Sequence, residues 1–210
     1  MISYKTGSMF NSRCQTVVNP TNCVGAMGKG IALEFRMLLP KMYEKYKDFC
    51  KAGLIVPGKL WIYSDSNIWE KVLNFPTKSH WKYPSRLEYI EEGLKKLTET
   101  YQERGIKSIA FPLLGCQNGG LAKGDVLSIM KKYLDDLNID IEIWDYQENS
   151  YDQMWELVSK FWSSKIPETT EEMIIKRAVE FSKNFESLYH CGYLNKYHVK
   201  SIGNIMGTEK

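Results

Sequence analysis

Short contiguous apolar runs alternate along this chain with longer stretches in which apolar positions recur every three or four residues. Thr16-Val-Val-Asn19, Leu60-Trp-Ile-Tyr63, Val72-Leu-Asn-Phe75, Ser108-Ile-Ala-Phe-Pro112 and Ile139 to Trp144 are rich in β-branched and aromatic residues. Bounded by turn formers, they predict buried strands, and Ile2-Ser-Tyr4 predicts a further one at the start. Gly30 to about Met37 predicts a helix that ends before Pro40, and Lys41 to Ala52 a second one stopped by Gly53 as a left-handed cap. Val56-Pro57-Gly58 predicts a turn. From Arg86 to Arg104, Leu87, Ile90, Leu94, Leu97 and Tyr101 fall on one helical face, with Gly105 closing the helix. Val126, Ile129, Met130, Tyr133, Leu134 and Leu137 stripe the next helix. Strands and helices therefore alternate, which predicts an α/β fold in three layers, with ligand loops at the C-terminal ends of the strands.

Beyond Tyr146 the texture changes. Met154, Leu157, Val158, Phe161 and Trp162 make one amphipathic stripe and Ile174, Ala178, Phe181, Phe185 and Leu188 another, with Pro167 between them. This predicts a main domain over 1–146 and a helical extension over 147–210, which either packs on that domain or grips a partner.

Composition narrows the class. The chain has 210 residues, 43% hydrophobic and 25% charged, enough for one well-buried core. No apolar run reaches the ~20 residues of a membrane span and the N-terminus lacks a signal peptide's apolar core, so a soluble, cytoplasmic protein is expected. Five cysteines without a Cys-x-x-Cys pair argue for reduced thiols rather than a disulfide framework or zinc ribbon. His190, Cys191 and His198 fit no standard metal spacing, and no metal is expected. A net charge of +3 implies no nucleic-acid partner by itself, so such a partner must be argued from local clusters.

The chemistry concentrates in Val17 to Leu33, VVNPTNCVGAMGKGIAL: a strand, a glycine-rich loop and a helix start. Glycine lets backbone approach a ligand closely, and the free N–H groups of a helix's first turn attract anions, so a diphosphate suits this layout. It is not a Walker loop, because Lys29 is followed by Gly30 rather than by Ser or Thr. Nor is it the dinucleotide fingerprint, because the order is Gly25-x-x-Gly28-x-Gly30. Gly115-Cys-Gln-Asn-Gly-Gly120, after another strand, reads as the second half of a diphosphate clamp.

Asn19-Pro-Thr-Asn22 leading into Gly25-Ala-Met-Gly28-Lys29-Gly30-Ile31-Ala32 resembles the ribose-binding signature of macrodomains, which bind ADP-ribose. Asn74-Phe-Pro-Thr77-Lys78-Ser-His80-Trp81 and Pro112-Leu-Leu114-Gly115-Cys116-Gln117-Asn118-Gly119-Gly120-Leu121 extend the likeness over the first three quarters of the chain. Together they resemble the DarG-type antitoxin macrodomains, which remove ADP-ribose from thymidine in DNA, and the related terminal ADP-ribose protein glycohydrolase. The resemblance implies a three-layer α/β/α macrodomain with a mixed, largely parallel sheet. It also implies ADP-ribose contacts from Ser8, Met9, Asn19, Asn22, Gly28, Lys29, Gly30, Ile31, Ala32, Thr77, Leu114, Gly115, Cys116, Gln117, Asn118, Gly119, Gly120 and Tyr146. In macrodomains the first turn usually carries an Asp for the adenine amino group, and Ser8 aligns there. Lys29 either sits near phosphate or is solvated; Tyr146 either stacks on adenine, packs on the fold or is exposed to solvent.

Lys78 aligns with that subgroup's functional lysine. Cleaving the bond from ribose C1 to a base nitrogen builds positive charge on the sugar and negative charge on the base. A charged lysine can stabilise or protonate the leaving base, while a neutral one can attack C1. The glycohydrolase acting on protein carries an Asp in the second loop where this chain has Asn118 and Gly119, and DarG-type loops have Asn-Gly-Gly. That difference favours DNA over carboxylate-linked substrates. His80, Trp81, Lys82, Tyr83 and Arg86 interleave cations with aromatics, a mixture that binds single-stranded nucleic acid; the alternative is that Trp81 and Tyr83 pack on the fold. The expected activity is therefore ADP-ribosyl glycohydrolysis on single-stranded DNA, without a cofactor, countering a DNA ADP-ribosyltransferase toxin. A hydrolase of protein-linked or acetylated ADP-ribose, or a reader that only binds ADP-ribose, are the competing expectations.

Overall fold

The computed structural model describes residues 1–66 and 69–147. The expected helical extension lies outside these residues, as do His190, Cys191 and His198. Six strands form one sheet: β1 (Ile2–Thr6), β2 (Thr16–Thr21), β3 (Trp61–Tyr63), β4 (Lys71–Pro76), β5 (Ser108–Pro112) and β6 (Asp140–Asp145). Their spatial order is β1-β6-β5-β2-β4-β3. All neighbours pair in parallel except β3 with β4. The mixed, largely parallel sheet is thus as expected, and its antiparallel member sits at an edge.

The helices are α1 (Gly30–Leu38), α2 (Pro40–Lys51), α3 (Leu87–Thr100) and α4 (Lys123–Leu134), with a 3₁₀ turn at Met9–Asn11. Side chains alternate faces along a strand, so successive residues of the central strands feed opposite cores. Val18, Ile109, Phe111 and Leu73 pack with Ile90, Leu94 and Leu97 of α3 and with Val126, Met130 and Leu134 of α4. Val17, Ala110 and Val72 pack on the other side with Phe35, Met42 and Tyr46 of α1 and α2. Because both faces of the sheet are covered, β2, β4 and β5 read as continuous apolar runs.

Two details depart from the sequence reading. The helix expected to reach Arg104 ends at Thr100, and its last turn closes through Gly105, whose φ is +61°. Gly105 N–H donates to Gln102 O and Ile106 N–H to Tyr101 O, which satisfies carbonyls that a straight helix end would leave open. Gly93, in mid-helix, is explained by packing: a Cβ there would collide with the ring of Phe75. α3 therefore lies against β4 closely enough that only glycine fits.

Since the five parallel strands point the same way, their C-terminal ends make one rim. Every segment singled out for chemistry within the described residues lies along it.

Candidate ligand cleft

The first glycine loop joins β2 to α1. Asn22 organises it: its side-chain oxygen accepts from the N–H groups of Val24, at 3.0 Å, and Ala26, at 3.3 Å, and its Nδ2 donates to Ala26 O at 2.5 Å. From α2, the buried Tyr46 hydroxyl donates to Asn22 O at 2.5 Å. Burial drives the Tyr46 phenol far above its usual pKa, so it remains a donor. Asn22 lines the cleft, with its amide largely committed to the loop's shape. Lys29 is the N-cap of α1, and its own side chain makes no capping hydrogen bond.

The second loop follows β5. Gly115 has φ +71°, and a Cβ on it would lie 2.8 Å from Ser85 Cβ. A Cβ on Gly119 would collide with Gly115 O and Ser85 Oγ. The loop is therefore folded too tightly for side chains at these positions. Ser85, which the sequence reading did not single out, holds it from outside: its N–H donates to Gly119 O at 2.9 Å, and its buried hydroxyl has no partner among the described residues. Across the cleft the two loops meet, since a Cβ on Gly30 would fall 2.5 Å from Asn118 Nδ2.

Lys78 stands just beyond β4. Thr77 N–H donates to Thr21 O at 2.9 Å, and Cys23 Sγ to Lys78 O at 3.3 Å, tying this segment to the first loop. The Lys78 Nζ reaches over to the second loop and donates to Asn118 O at 2.5 Å. Burial, and after it the ammonium of Lys29, lower the Lys78 pKa from its ordinary value. Cys116 also lines the cleft, but burial raises its thiol, which leaves it a poor nucleophile.

Directly after Lys78 the chain forms an aromatic platform. Trp81 is 56% exposed and Tyr83 60%, so neither is buried in the fold. The His80 ring lies 5.5 Å from each of theirs, Lys82 Nζ lies 5.3 Å above Trp81, and Arg86 lies over Tyr89 at 5.3 Å. Trp81 also borders the cleft.

The cleft itself has a volume of about 790 Å³. Of the residues expected to touch ADP-ribose, Ser8, Met9, Asn22, Gly28, Lys29, Ile31, Ala32, Thr77, Gly115, Cys116, Gln117, Asn118, Gly119 and Tyr146 line it, and so does Lys78. Asn19 and Leu114 instead lie in the core beneath it. Asn19 Nδ2 donates to Asn74 Oδ1 at 2.9 Å, a cross-strand contact between two buried amides that leaves Asn19 Oδ1 without a partner among the described residues. Gly30 and Gly120 shape the loops without lining the cleft. The Ser8 side chain accepts from Phe10 N–H and caps the 3₁₀ turn. Lys123 and Asp145, which the sequence reading did not single out, also line the cleft. Among the described residues no cluster of His, Cys, Asp and Glu could hold a metal, and no helix is long and apolar enough to cross a membrane.

A six-stranded sheet between two helical layers, with two tight loops facing each other across a cleft at the strand ends, defines an α/β ligand-binding module. The Macro domain family model matches residues 18–130, and the chain belongs to that family. It is 38% identical over 149 residues to the DNA ADP-ribosyl glycohydrolase of Thermus aquaticus, a match covering 70% of this chain and 41% of that protein. The chain thus spans about two fifths of that relative's length. The solved macrodomain of Mycobacterium tuberculosis DarG superposes with a TM-score of 0.67 at 38% identity, covering 70% of this chain and 99% of that one. Thermosipho africanus DarTG, solved in complex with ADP-ribose, gives a TM-score of 0.64 at 37% identity, covering 70% of this chain and 43% of that one.

Proposed function

We propose that this protein is a glycohydrolase that removes ADP-ribose from thymidine in single-stranded DNA. The observation that carries this reading is the position of Lys78. Its carbonyl and amine tie it to the first and second glycine loops respectively, and it is followed within five residues by an exposed aromatic and cationic platform. Catalytic amine and strand-binding surface thus share one segment.

In this reading the diphosphate lies between the first turn of α1 and the second loop, and the scissile ribose lies against Lys78. Burial and a neighbouring cation are the two conditions that make a lysine amine nucleophilic. The neutral Nζ attacks ribose C1, the bond from C1 to the base nitrogen breaks, and that nitrogen takes the proton lost by the amine. The sugar adduct opens to an imine, which water hydrolyses to free ADP-ribose and regenerate the lysine. The sequence consumes only water, so no cofactor is required. Trp81 and Tyr83 supply stacking faces and Lys82 and Arg86 meet phosphates, with each stacked base worth about 1–3 kcal/mol.

The catalytic unit is residues 1–146, acting in the cytoplasm against the product of a DNA ADP-ribosyltransferase toxin, and residues 147–210 are an extension to it. Asn118 and Gly119 supply no carboxylate to assist at an ester, which disfavours protein-linked substrates. The test compares hydrolysis of an oligonucleotide carrying one ADP-ribosylated thymidine with that of a protein carrying ADP-ribose on glutamate. Faster turnover of the oligonucleotide, by tenfold or more, supports the DNA reading; the reverse order overturns it.

A further inference from the structure

The chain between Lys78 and α3 is fastened at both ends to the glycine loops. Ser79 O accepts from Cys23 N–H of the first loop at 3.3 Å, and Ser85 N–H donates to Gly119 O of the second at 2.9 Å. The five residues between them, His80 to Pro84, close on themselves. Tyr83 N–H donates to His80 O at 3.1 Å, which makes a β-turn with Trp81 and Lys82 at its two central positions. A second bond tightens the turn: Lys82 N–H donates to His80 Nδ1 at 3.2 Å, the contact that an Asn or Asp side chain makes with the backbone two residues on. To accept there, the imidazole is neutral and carries its proton on Nε2.

This bond sets the His80 ring between the two exposed rings of the platform. Its centroid lies 5.5 Å from that of Trp81 and 5.5 Å from that of Tyr83, with interplanar angles of 31° and 53°, inside the range of aromatic pairs. Trp81 and Tyr83 are more than half exposed, whereas His80 is half-buried. The central ring is therefore the support and the outer two are the free surfaces. They serve different places, because Trp81 borders the cleft that holds Lys78 and Tyr83 lies outside it. Rings that are already held lose less freedom when a strand settles on them, so a brace between them raises affinity without touching the strand.

We propose that His80 is the positioning residue of the strand-binding surface: through Nδ1 and its ring it holds Trp81 and Tyr83 in the orientation that stacks on the bases of single-stranded DNA. This inference rests on the DNA reading above. It places no proton transfer on His80, so its effect belongs in KM and not in kcat.

The test uses the full chain and a single-stranded oligonucleotide carrying one ADP-ribosylated thymidine. His80→Ala should raise KM by about three- to tenfold with kcat within about twofold of wild type. Its affinity for free ADP-ribose, measured by calorimetry, should be unchanged, which also reports that the variant is folded. His80→Asn keeps an acceptor for Lys82 N–H but loses the ring, so its KM should fall between those of wild type and His80→Ala. In a Tyr83→Ala background His80→Ala should raise KM by a smaller factor than it does alone, because part of what His80 holds is gone. A KM that His80→Ala leaves unchanged, a loss of kcat at constant KM, an Asn variant no better than Ala, or full independence of the two substitutions overturns the assignment. A wild type that binds ADP-ribose and leaves the oligonucleotide modified shows instead that the DNA reading fails, and the assignment falls with it.

Discussion

Lys78 Nζ lies 2.5 Å from the backbone carbonyl oxygen of Asn118, so the lysine that follows β4 is docked on the loop that follows β5. The acceptor is backbone, and the Asn118 side chain is left to meet Gly30 on the other side of the cleft. Gly30→Ala puts a methyl group 2.5 Å from Asn118 Nδ2 and forces a left-handed φ of +58° on a residue with a side chain. The left-handed backbone alone costs ~1–2 kcal/mol. ADP-ribose affinity should fall about tenfold. Asn118→Ala in the same chain should restore part of the loss, because it removes the contact and leaves the strain; titration calorimetry on both variants checks this.

The lowered pKa of Lys78 gives the pH profile a sign. The nucleophile is the neutral amine, so kcat should rise with pH and level off below the ordinary lysine pKa. Lys29 contributes to the lowering by repelling the ammonium form. Lys29→Ala should therefore raise the Lys78 pKa, reduce the neutral fraction near pH 7 and lower kcat there, with the plateau displaced to higher pH. Stopped assays at saturating substrate read this directly. A rate that falls as pH rises would assign Lys78 the role of a proton donor.

An imine on Lys78 is reducible. Turnover in the presence of borohydride should leave a stable ADP-ribose adduct on a peptide containing Lys78, seen by mass spectrometry. No adduct should form on Lys29.

Tyr83 lies outside the cleft and is exposed, so its contribution is to the strand. Tyr83→Ala should raise KM for the modified oligonucleotide by about tenfold, in line with the loss of ~1–3 kcal/mol of stacking, while leaving the affinity for free ADP-ribose unchanged. Kinetics on the oligonucleotide and calorimetry with ADP-ribose separate the two.

Gly93→Ala tests the fold apart from the site. The added methyl group overlaps the ring of the fully buried Phe75, and overpacking of this kind costs about 1–3 kcal/mol. Thermal unfolding should show a lower Tm.

The layered fold was legible in the sequence because both of its periodicities are strong. Val17-Val18, Val72-Leu73 and Ile109-Ala110-Phe111 are continuous because both faces of their strands are buried. Leu87, Ile90, Leu94 and Leu97 repeat because only one face of α3 is. The glycine loops were legible for a different reason: a backbone that turns this tightly excludes side chains, so Gly115 and Gly119 mark the turn itself. Partnerships between distant segments left no local trace. Asp145 ends a strand and Lys123 begins a helix 22 residues earlier, and nothing in either neighbourhood names the other. Asn19 illustrates the converse: its pattern matched a ligand signature, yet its amide points into the core at Asn74, a pairing set by strand register. Ser85 was hidden because its contact is made by a backbone N–H that any residue would carry.

The central claim is that Lys78 performs the chemistry and the rest of the cleft holds the substrate. Wild type and Lys78→Ala are compared on a single-stranded oligonucleotide carrying one ADP-ribosylated thymidine, with ADP-ribose affinity measured on both. The wild type should restore the unmodified oligonucleotide and release free ADP-ribose. Lys78→Ala should lose turnover by a factor of about a thousand or more while binding ADP-ribose within about threefold of wild type. Turnover that survives the substitution, or a wild type that binds ADP-ribose and leaves the oligonucleotide modified, would contradict the account.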